Sequence, residues 1–365
     1  MGPFSLEAFL MKIGVIGATG YTGMALLSVL AGRPKTRVTL ATSRGEAGRS
    51  LAQYHPSLAG APSLSDLVFR DPGDLDALRD QDPDNFPDLF FLAVTHGVSM
   101  GLAPALLERG AKVIDLTGDF RLKDPALYPK WYKKDHSAPL WLGKAVYGLP
   151  ELHRREIAKA SLVANPGCYP TSVILALAPL ARAGLLSEDF HPIADSKSGV
   201  SGAGRGGGVA LSYAEVAENF RAYKVVGHQH APEMAQELSL LAGRPLKVAF
   251  TPHLVPMNRG ILTTVYAKTE SEMSHARLLG LYREFYADEP FVRLLEEGVS
   301  PETVDARGTN FCLISFFHDP ETGLWKIIAA IDNLARGAVT QAVVNLNIMT
   351  GEDETMGIPM VGLRP

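Results

Sequence analysis

The sequence predicts an α/β protein in two parts: a domain built on a parallel sheet, then a domain whose sheet is mostly antiparallel. Three observations carry that prediction. From Lys12 to Asn165 short apolar runs alternate with helical stretches, the pattern of parallel strands joined by crossover helices. Beyond Leu246 the apolar runs lengthen and follow one another with fewer such helices, as in an antiparallel sheet. The chain has 365 residues, more than the ~250–300 that a single hydrophobic core usually organises.

Taken in order, "KIGVIG" (12–17) reads as a strand, "TGMALLSVLAG" (22–32) as a helix and "TRVTLATS" (36–43) as a second strand. "DLFFLAV" (88–94) and "KVIDL" (112–116) are further strands, with the helix "SMGLAPALLERG" (99–110) between them. Segment 118–160 is rich in Pro, Tyr and Trp and reads as an irregular excursion. "SLVAN" (161–165) is the strand that delivers the chain to Cys168. The second part opens with the helix "SVILALAPLARAG" (172–184), the strand "HPIADSKSG" (191–199) and a Gly-rich loop, 198–208. A helix is expected over "VALSYAEVAENF" (209–220), and strands in "LKVAFTPHLVP", "RGILTTVYAK", "NFCLISFFHD" and "WKIIAAIDN". The last segment, "ARGAVTQAVVNLNIMTG" (335–351), has the apolar spacing of an amphipathic helix. Met11 stands just before the first strand, so residues 1–11 read as an N-terminal extension.

The composition excludes several classes. It is 46% hydrophobic and 20% charged, ordinary for a globular protein, and a net charge of −4 argues against a nucleic-acid partner. No apolar run is long enough to span a bilayer, and the N-terminus lacks the basic and apolar regions of a signal peptide. Two cysteines, Cys168 and Cys312, cannot make a disulfide framework and suit a reducing cytoplasm.

"GVIGATGYTGMALL" places Gly17, Gly20 and Gly23 between a strand and a helix, a variant of the dinucleotide fingerprint. Glycines let the main chain approach a pyrophosphate, and the free N–H groups of the helix start attract its charge. An NAD-selective site usually carries an acid near the end of the second strand. Here Ser43 and Arg44 stand there, a hydroxyl and a guanidinium that suit a 2′-phosphate, so the cofactor expected is NADP(H). Glu46 nearby and a purely solvated Arg44 are the competing features.

Most free cysteines are small core residues, and Cys312 in "NFCLISFF" reads that way. Cys168 follows a strand end, precedes a helix and sits in the constrained turn "NPGC", where helix amides favour a thiolate. A thiolate beside a nicotinamide can form a thioester from an activated acyl group, which a hydride then takes to the aldehyde. That chemistry needs an acid/base and cations for an anionic substrate. "VVGHQHAPE" offers His228 and His230; "TGDFRL", "SGAGR" and "PMNRG" offer Arg121, Arg205 and Arg259. On a strand the two histidines would point the same way, as metal ligands do, but no cluster with convincing metal spacing surrounds them, and no metal is expected.

Together, "GATGYTG", "THGVS", "DLTGDFRL", "YGLPEL", "NPGCYPTS", "SGVSGAGR", "GHQHAPE", "TPHLVPMNRG" and "DNLARGAVTQAVVNLN" occur in an order that resembles the N-acetyl-gamma-glutamyl-phosphate reductases, within the aspartate-semialdehyde dehydrogenase-like superfamily. The resemblance runs from Lys12 to the end; residues ahead of Met11 match none of these motifs, and Thr95 replaces a proline common among relatives. It implies a Rossmann NADP-binding domain (12–167) completed by a C-terminal helix (333–365), with an inserted α+β catalytic and dimerisation domain (168–332). It implies NADPH-dependent reduction of N-acetyl-glutamyl 5-phosphate to the 5-semialdehyde, with Cys168 as nucleophile and His228 as acid/base, His230 being the alternative. Gly17, Thr19, Gly20, Tyr21, Thr22 and Gly23 would hold the pyrophosphate and Ser43 with Arg44 the 2′-phosphate. Ser201, Gly202 and Asn333 would lie near the nicotinamide, and Arg121, Arg205 and Glu151 are the substrate candidates. A homodimer or homotetramer is implied as well.

Two relatives of the same chemistry compete: a carrier-protein-linked aminoadipyl-phosphate reductase and aspartate-semialdehyde dehydrogenase. From another class, a regulator that senses NADP(H) without turnover would have no use for Cys168 or the histidines.

Overall fold

The computed structural model describes residues 10–362 except 62–63, 76–79, 81 and 207, so most of the proposed N-terminal extension lies outside the described residues. The chain divides into two compact units. The first takes in the chain up to Pro125, Lys134–Asn165 and Ala342–Ile358; the second takes in Ala126–Lys133, Pro166–Gln341 and the chain from Pro359. Helices of eight or more residues are numbered below.

In the first unit the elements are β1 (Met11–Ile16), α1 (Tyr21–Ala31), β2 (Thr36–Thr42), β3 (Leu89–Leu92), α2 (Ser99–Glu108), β4 (Lys112–Asp115), β5 (Val146–Tyr147), α3 (Pro150–Ile157) and β6 (Leu162–Ala164). The six strands form one parallel sheet in the order β2-β1-β3-β4-β6-β5. Its strands are apolar runs rather than alternating ones because both faces are covered: Ile13, Val15, Phe90, Phe91, Val113 and Val163 are all fully buried. β1 begins at Met11, one residue inside the segment read as an extension, because the Met11 N–H bonds the carbonyl of Lys35. The strand order reverses between β1 and β3, so the turns that leave these two strands open a crevice at the carboxyl edge of the sheet. Those turns are "GATG" and "VTHG".

The second unit contains α4 (Cys168–Arg182), β7 (Ile193–Ser198), β8 (Arg221–Ala222), α5 (His230–Ala242), β9 (Ala249–Leu254), β10 (Ile261–Ala267), α6 (His275–Phe285), β11 (Val292–Leu294), β12 (Cys312–Asp319) and β13 (Leu324–Ile331). Its sheet runs β11-β12-β13-β10-β7-β9-β8, with four antiparallel pairings and two parallel ones, β11–β12 and β7–β9. α4 crosses β10, β12 and β13, with α5 and α6 packed on it in turn. Tyr169–Ala181 is buried on every side: Val173–Ala181 is an unbroken apolar run, and the hydroxyls of Thr171 and Ser172 donate to the carbonyls of Gly167 and Tyr169. β10 alternates buried and half-buried residues, so one face of the sheet lies under α4 and the other is partly open.

Three sequence expectations fail locally. Segment 118–160 is not irregular throughout, since it supplies β5, which pairs with β6, and α3. Residues 209–220 do not form one helix; two short turns, Val209–Leu211 and Tyr213–Val216, leave Val209 and Tyr213 exposed, so no apolar face is buried to hold a helix together. The last helix is not amphipathic either. Ala335–Val339 is a π-helical turn that runs into α7 (Thr340–Met349), and nearly every residue of both is buried. Two polar residues of α7 bond inside the protein instead: Asn345 Nδ2 donates to the Gly148 carbonyl and to Asn165 Oδ1, and Asn347 Oδ1 accepts from Arg33 Nε.

Candidate active site

In the first unit the glycine-rich turn joins β1 to α1 with the main chain stripped bare where the reading required it. Gly17 has φ +88°, and a methyl group on it would lie 2.3 Å from the carbonyl oxygen of Ala93, which leaves β3. A methyl on Gly23 would lie equally close to the Gly17 carbonyl oxygen, whereas Gly20, which precedes α1, has room. The first turn of α1, with Tyr21 and Thr22, has neither a capping side chain nor an acid, so its amides remain available to an anion. Thr19 Oγ1 and Ser43 Oγ are 3.0 Å apart, linking the turn to the end of β2. Arg44 is exposed, and Glu46 is paired with Arg49 at 3.0 Å. Across the reversal point, Asp119 accepts the N–H groups of Gly97 (2.7 Å) and Met100 (3.1 Å), and His96 Nδ1 accepts that of Gly118. Asp115, fully buried, accepts from Ser99 and Thr117; burial, with Asp119 close by, raises its pKa to about 7. These residues fit a dinucleotide phosphate: bare glycine, open amides and a cation.

Arg121 is buried, with Nε on the carbonyl of Asn165 (2.7 Å) and Nη2 on that of Leu116 (3.0 Å). It anchors the residue that ends the first unit, just before the "PGC" turn. Glu151 lies in the first turn of α3 and is half-buried.

In the second unit Cys168 is not ahead of a helix but its first residue, with Gly167 as the N-terminal cap. The helix starts four residues earlier than expected because Thr171 closes its first turn: both its N–H and its Oγ1 donate to the Gly167 carbonyl. The position places the sulfur beside helix-terminal amides, the surroundings that favour a thiolate. Cys168 is partly exposed, whereas Cys312 in β12 is fully buried.

Two tyrosines stand near it, and their rings meet the two histidines. Tyr223 donates to the Tyr169 hydroxyl (3.1 Å), and Tyr169 to the carbonyl of His253 (3.3 Å). Burial raises the pKa of both phenols, and the nearby Cys168 sulfur adds to it in each, so they remain neutral beside the thiol. His228 lies in the turn before α5 and His230 opens that helix, so the pair is not on a strand. Their rings are 4.8 Å apart, and the His228 ring meets Tyr169, Tyr223 and Phe250 edge to face. Burial, with Lys224 close by, lowers the His228 pKa to about 4. Its Nδ1 accepts the N–H of His230 at 3.1 Å, which assigns the proton of the neutral ring to Nε2.

Ser201, Gly202 and Asn333 come together as a group. Asn333 Nδ2 donates to Ser201 Oγ (2.9 Å), and its Oδ1 accepts the Gly260 N–H (2.8 Å). Arg205 is exposed in the loop that follows, and Arg259 pairs with the buried Asp332 at 3.5 Å.

The chain is 48% identical to N-acetyl-gamma-glutamyl-phosphate reductase of Geobacter sp. (strain M21), over 98% of this chain and all of that relative. The same-named protein of Methanococcus maripaludis (strain C7 / ATCC BAA-1331) is 44% identical over 97% of this chain and 99% of its own length. The chain belongs to the N-acetyl-gamma-glutamyl-phosphate reductase family. Its two halves match family models described as the semialdehyde dehydrogenase NAD-binding domain (residues 12–160) and dimerisation domain (residues 168–333). The fold is that of aspartate semialdehyde dehydrogenase II from Vibrio cholerae (TM-score 0.70, 20% identity, 94% of this chain and 98% of that one). It is also that of the Candida albicans aspartate semialdehyde dehydrogenase solved with NADP (TM-score 0.70, 13% identity, 93% and 99%).

For a reductase of this family, sequence reading overlooked three residues that touch the cysteine turn or its supports. Glu233, buried in the first turn of α5, accepts the Gly167 N–H at 2.7 Å. Asp332 accepts the N–H groups of Leu334, Ala335 and Gly308, each at 2.8 Å. Gly337 lies against Cys168 itself. All three stood inside quoted motifs, "GHQHAPE" and "DNLARGAVTQAVVNLN", where a buried acid could have been singled out; no spacing in either showed that Gly337 meets Cys168.

Proposed function

We propose that the chain reduces N-acetyl-L-glutamyl 5-phosphate to N-acetyl-L-glutamate 5-semialdehyde with NADPH, releasing phosphate, as a cytoplasmic step of arginine biosynthesis. What carries the reading is a partly exposed Cys168 at the first position of a buried helix, in a chain with full-length relatives of that name.

Cys168 Sγ attacks the acyl carbon, the C–O bond to phosphate breaks and a thioester remains on the sulfur. NADPH, when bound, supplies the hydride that reduces the thioester carbon. Cys168 then leaves as a thiolate and the aldehyde is released. His228 is the acid/base candidate: its Nε2–H donates to oxygen as negative charge develops there, with His230 the alternative. Gly17, Thr19, Gly20, Tyr21, Thr22 and Gly23 hold the pyrophosphate, Ser43 and Arg44 the 2′-phosphate, and Ser201, Gly202 and Asn333 the nicotinamide end. Arg121, Arg205 and Glu151 are candidates for contacts to the substrate. For Arg121, two bonds to main-chain carbonyls favour a supporting role. We read 12–167 with the C-terminal helix as the cofactor domain and 168–332 as the catalytic and dimerisation domain, whose half-open sheet face suits a second copy in a dimer or tetramer.

The test is phosphate-dependent reduction of NADP⁺ with N-acetyl-glutamate semialdehyde and aspartate semialdehyde side by side. Turnover of the first substrate, lost in Cys168→Ala, is expected; preference for the second, or equal rates in wild type and variant, would overturn the proposal.

A further inference from the structure

We propose that Gly337 is a positioning residue for Cys168: it presents a bare stretch of main chain, on the π-helical turn, against which the first residue of α4 is seated. A methyl group on Gly337 would lie 2.6 Å from Cys168 Cβ, closer than carbon atoms approach, and 3.1 Å from its Cα, a tight contact. Gly337 is not among the glycines with positive φ, so it is required by space and not by backbone conformation. π-helical turns are rare and concentrate at functional places, and this one is held from several sides. The Asp332 carboxylate receives the amides of Leu334 and Ala335, and its main-chain carbonyl receives the Gly337 N–H at 2.9 Å. Arg336, fully buried, lies over the ring of Phe291 at 5.9 Å. Asn333, in the same segment, reaches Ser201 and Gly260. One short run, 332–337, thus backs the nucleophile and braces the loops carrying Ser201 and Arg259. Reaction rates fall steeply with small misplacements of a reacting atom, so this contact acts on rate through Cys168 without touching substrate.

The inference rests on Cys168 as the nucleophile. The experiment compares wild type, Gly337→Ala and Gly280→Ala; the last adds a methyl to α6 where nothing lies within 4 Å. For each, kcat and KM for the acyl phosphate are measured, with the rate of Cys168 alkylation by iodoacetamide across pH. Gly337→Ala should lower kcat by roughly 10- to 100-fold with KM within about twofold, and should shift the alkylation profile. Gly280→Ala should match wild type in every readout. Wild-type kcat and alkylation in soluble Gly337→Ala overturn the proposal. If Gly337→Ala does not fold, Asp332→Asn decides: its amide cannot accept from all three N–H groups, so kcat should fall at unchanged KM, and a wild-type kcat overturns the proposal. Wild type unable to reduce the acyl phosphate would defeat the functional reading instead, while the alkylation comparison still tests the contact.

Discussion

The Glu233 carboxylate accepts the main-chain N–H of Gly167 at 2.7 Å, tying the first turn of α5, which begins at His230, to the residue before Cys168. Both helix starts bear a reactive group, and one fully buried side chain joins them. Glu233→Ala should leave the Gly167 amide buried without a partner, lowering stability by about 1–3 kcal/mol in urea unfolding. It should lower kcat as well. Glu233→Gln keeps an oxygen acceptor and should retain most of the activity; equal losses in both variants would show that the hydrogen bond is not what matters.

Cys168 and Cys312 differ in access. Iodoacetamide near neutral pH should modify Cys168 and inactivate the enzyme, with substrate protecting, while Cys312, fully buried in β12, stays unmodified until the chain unfolds. Peptide mass spectrometry reads this directly. Labelling at Cys312 with Cys168 spared would contradict it.

The His228 pKa is pulled down to about 4, from an ordinary value of 6.5. Because the folded state holds its proton less tightly than the unfolded chain, His228 costs nothing above pH 6.5. Stability is lost as pH falls from there toward 4, by up to about 3 kcal/mol. Asp115, raised to about 7, has the opposite slope, its stabilisation being lost as pH rises through 7. The comparison must therefore be between wild type and His228→Asn: urea midpoints at pH 7.5 and 5.0 should diverge less in the variant. An identical pH dependence in both proteins would refute the assignment.

Arg44 stands exposed just after β2, and the acid two residues on, Glu46, is already paired with Arg49. Arg44→Ala should raise KM for NADPH by roughly tenfold or more, the worth of one charge-assisted hydrogen bond, and leave NADH almost unaffected. Parallel KM measurements with the two cofactors decide. A uniform change in both would place Arg44 outside the 2′-phosphate pocket.

The parallel strands were legible in the sequence because buried strands leave continuous apolar runs, such as "LFFL" between Asp88 and Ala93. The turn at Gly17 was legible because its residues and their spacing are local to it. The cluster of Ser201, Gly202 and Asn333 was reached through family resemblance, since Ser201 and Asn333 are far apart in the chain and meet only through tertiary folding. Gly337 was invisible for a related reason: its requirement is set by Cys168, a contact that no periodicity records. The 209–220 helix was overread, since helical composition does not create a face to bury. The α7 pattern misled in the opposite sense, because Asn345 and Asn347 occupy polar positions that face partners inside the protein rather than water.

The first unit is assembled from both ends of the polypeptide. Arg33 reaches Asn347, Lys112 the Met349 carbonyl, Gly148 and Asn165 receive Asn345, and Arg154 pairs with Glu354 at 2.5 Å. During synthesis residues 342–358 leave the ribosome after residues 166–341, so the nucleotide-holding half, begun first, is completed only after most of the half bearing the cysteine has emerged. A chain truncated before that tail would leave Arg33, Lys112, Gly148, Asn165 and Arg154 of the first unit without these contacts, and expressing residues 12–160 as a separate fragment should give an aggregation-prone product.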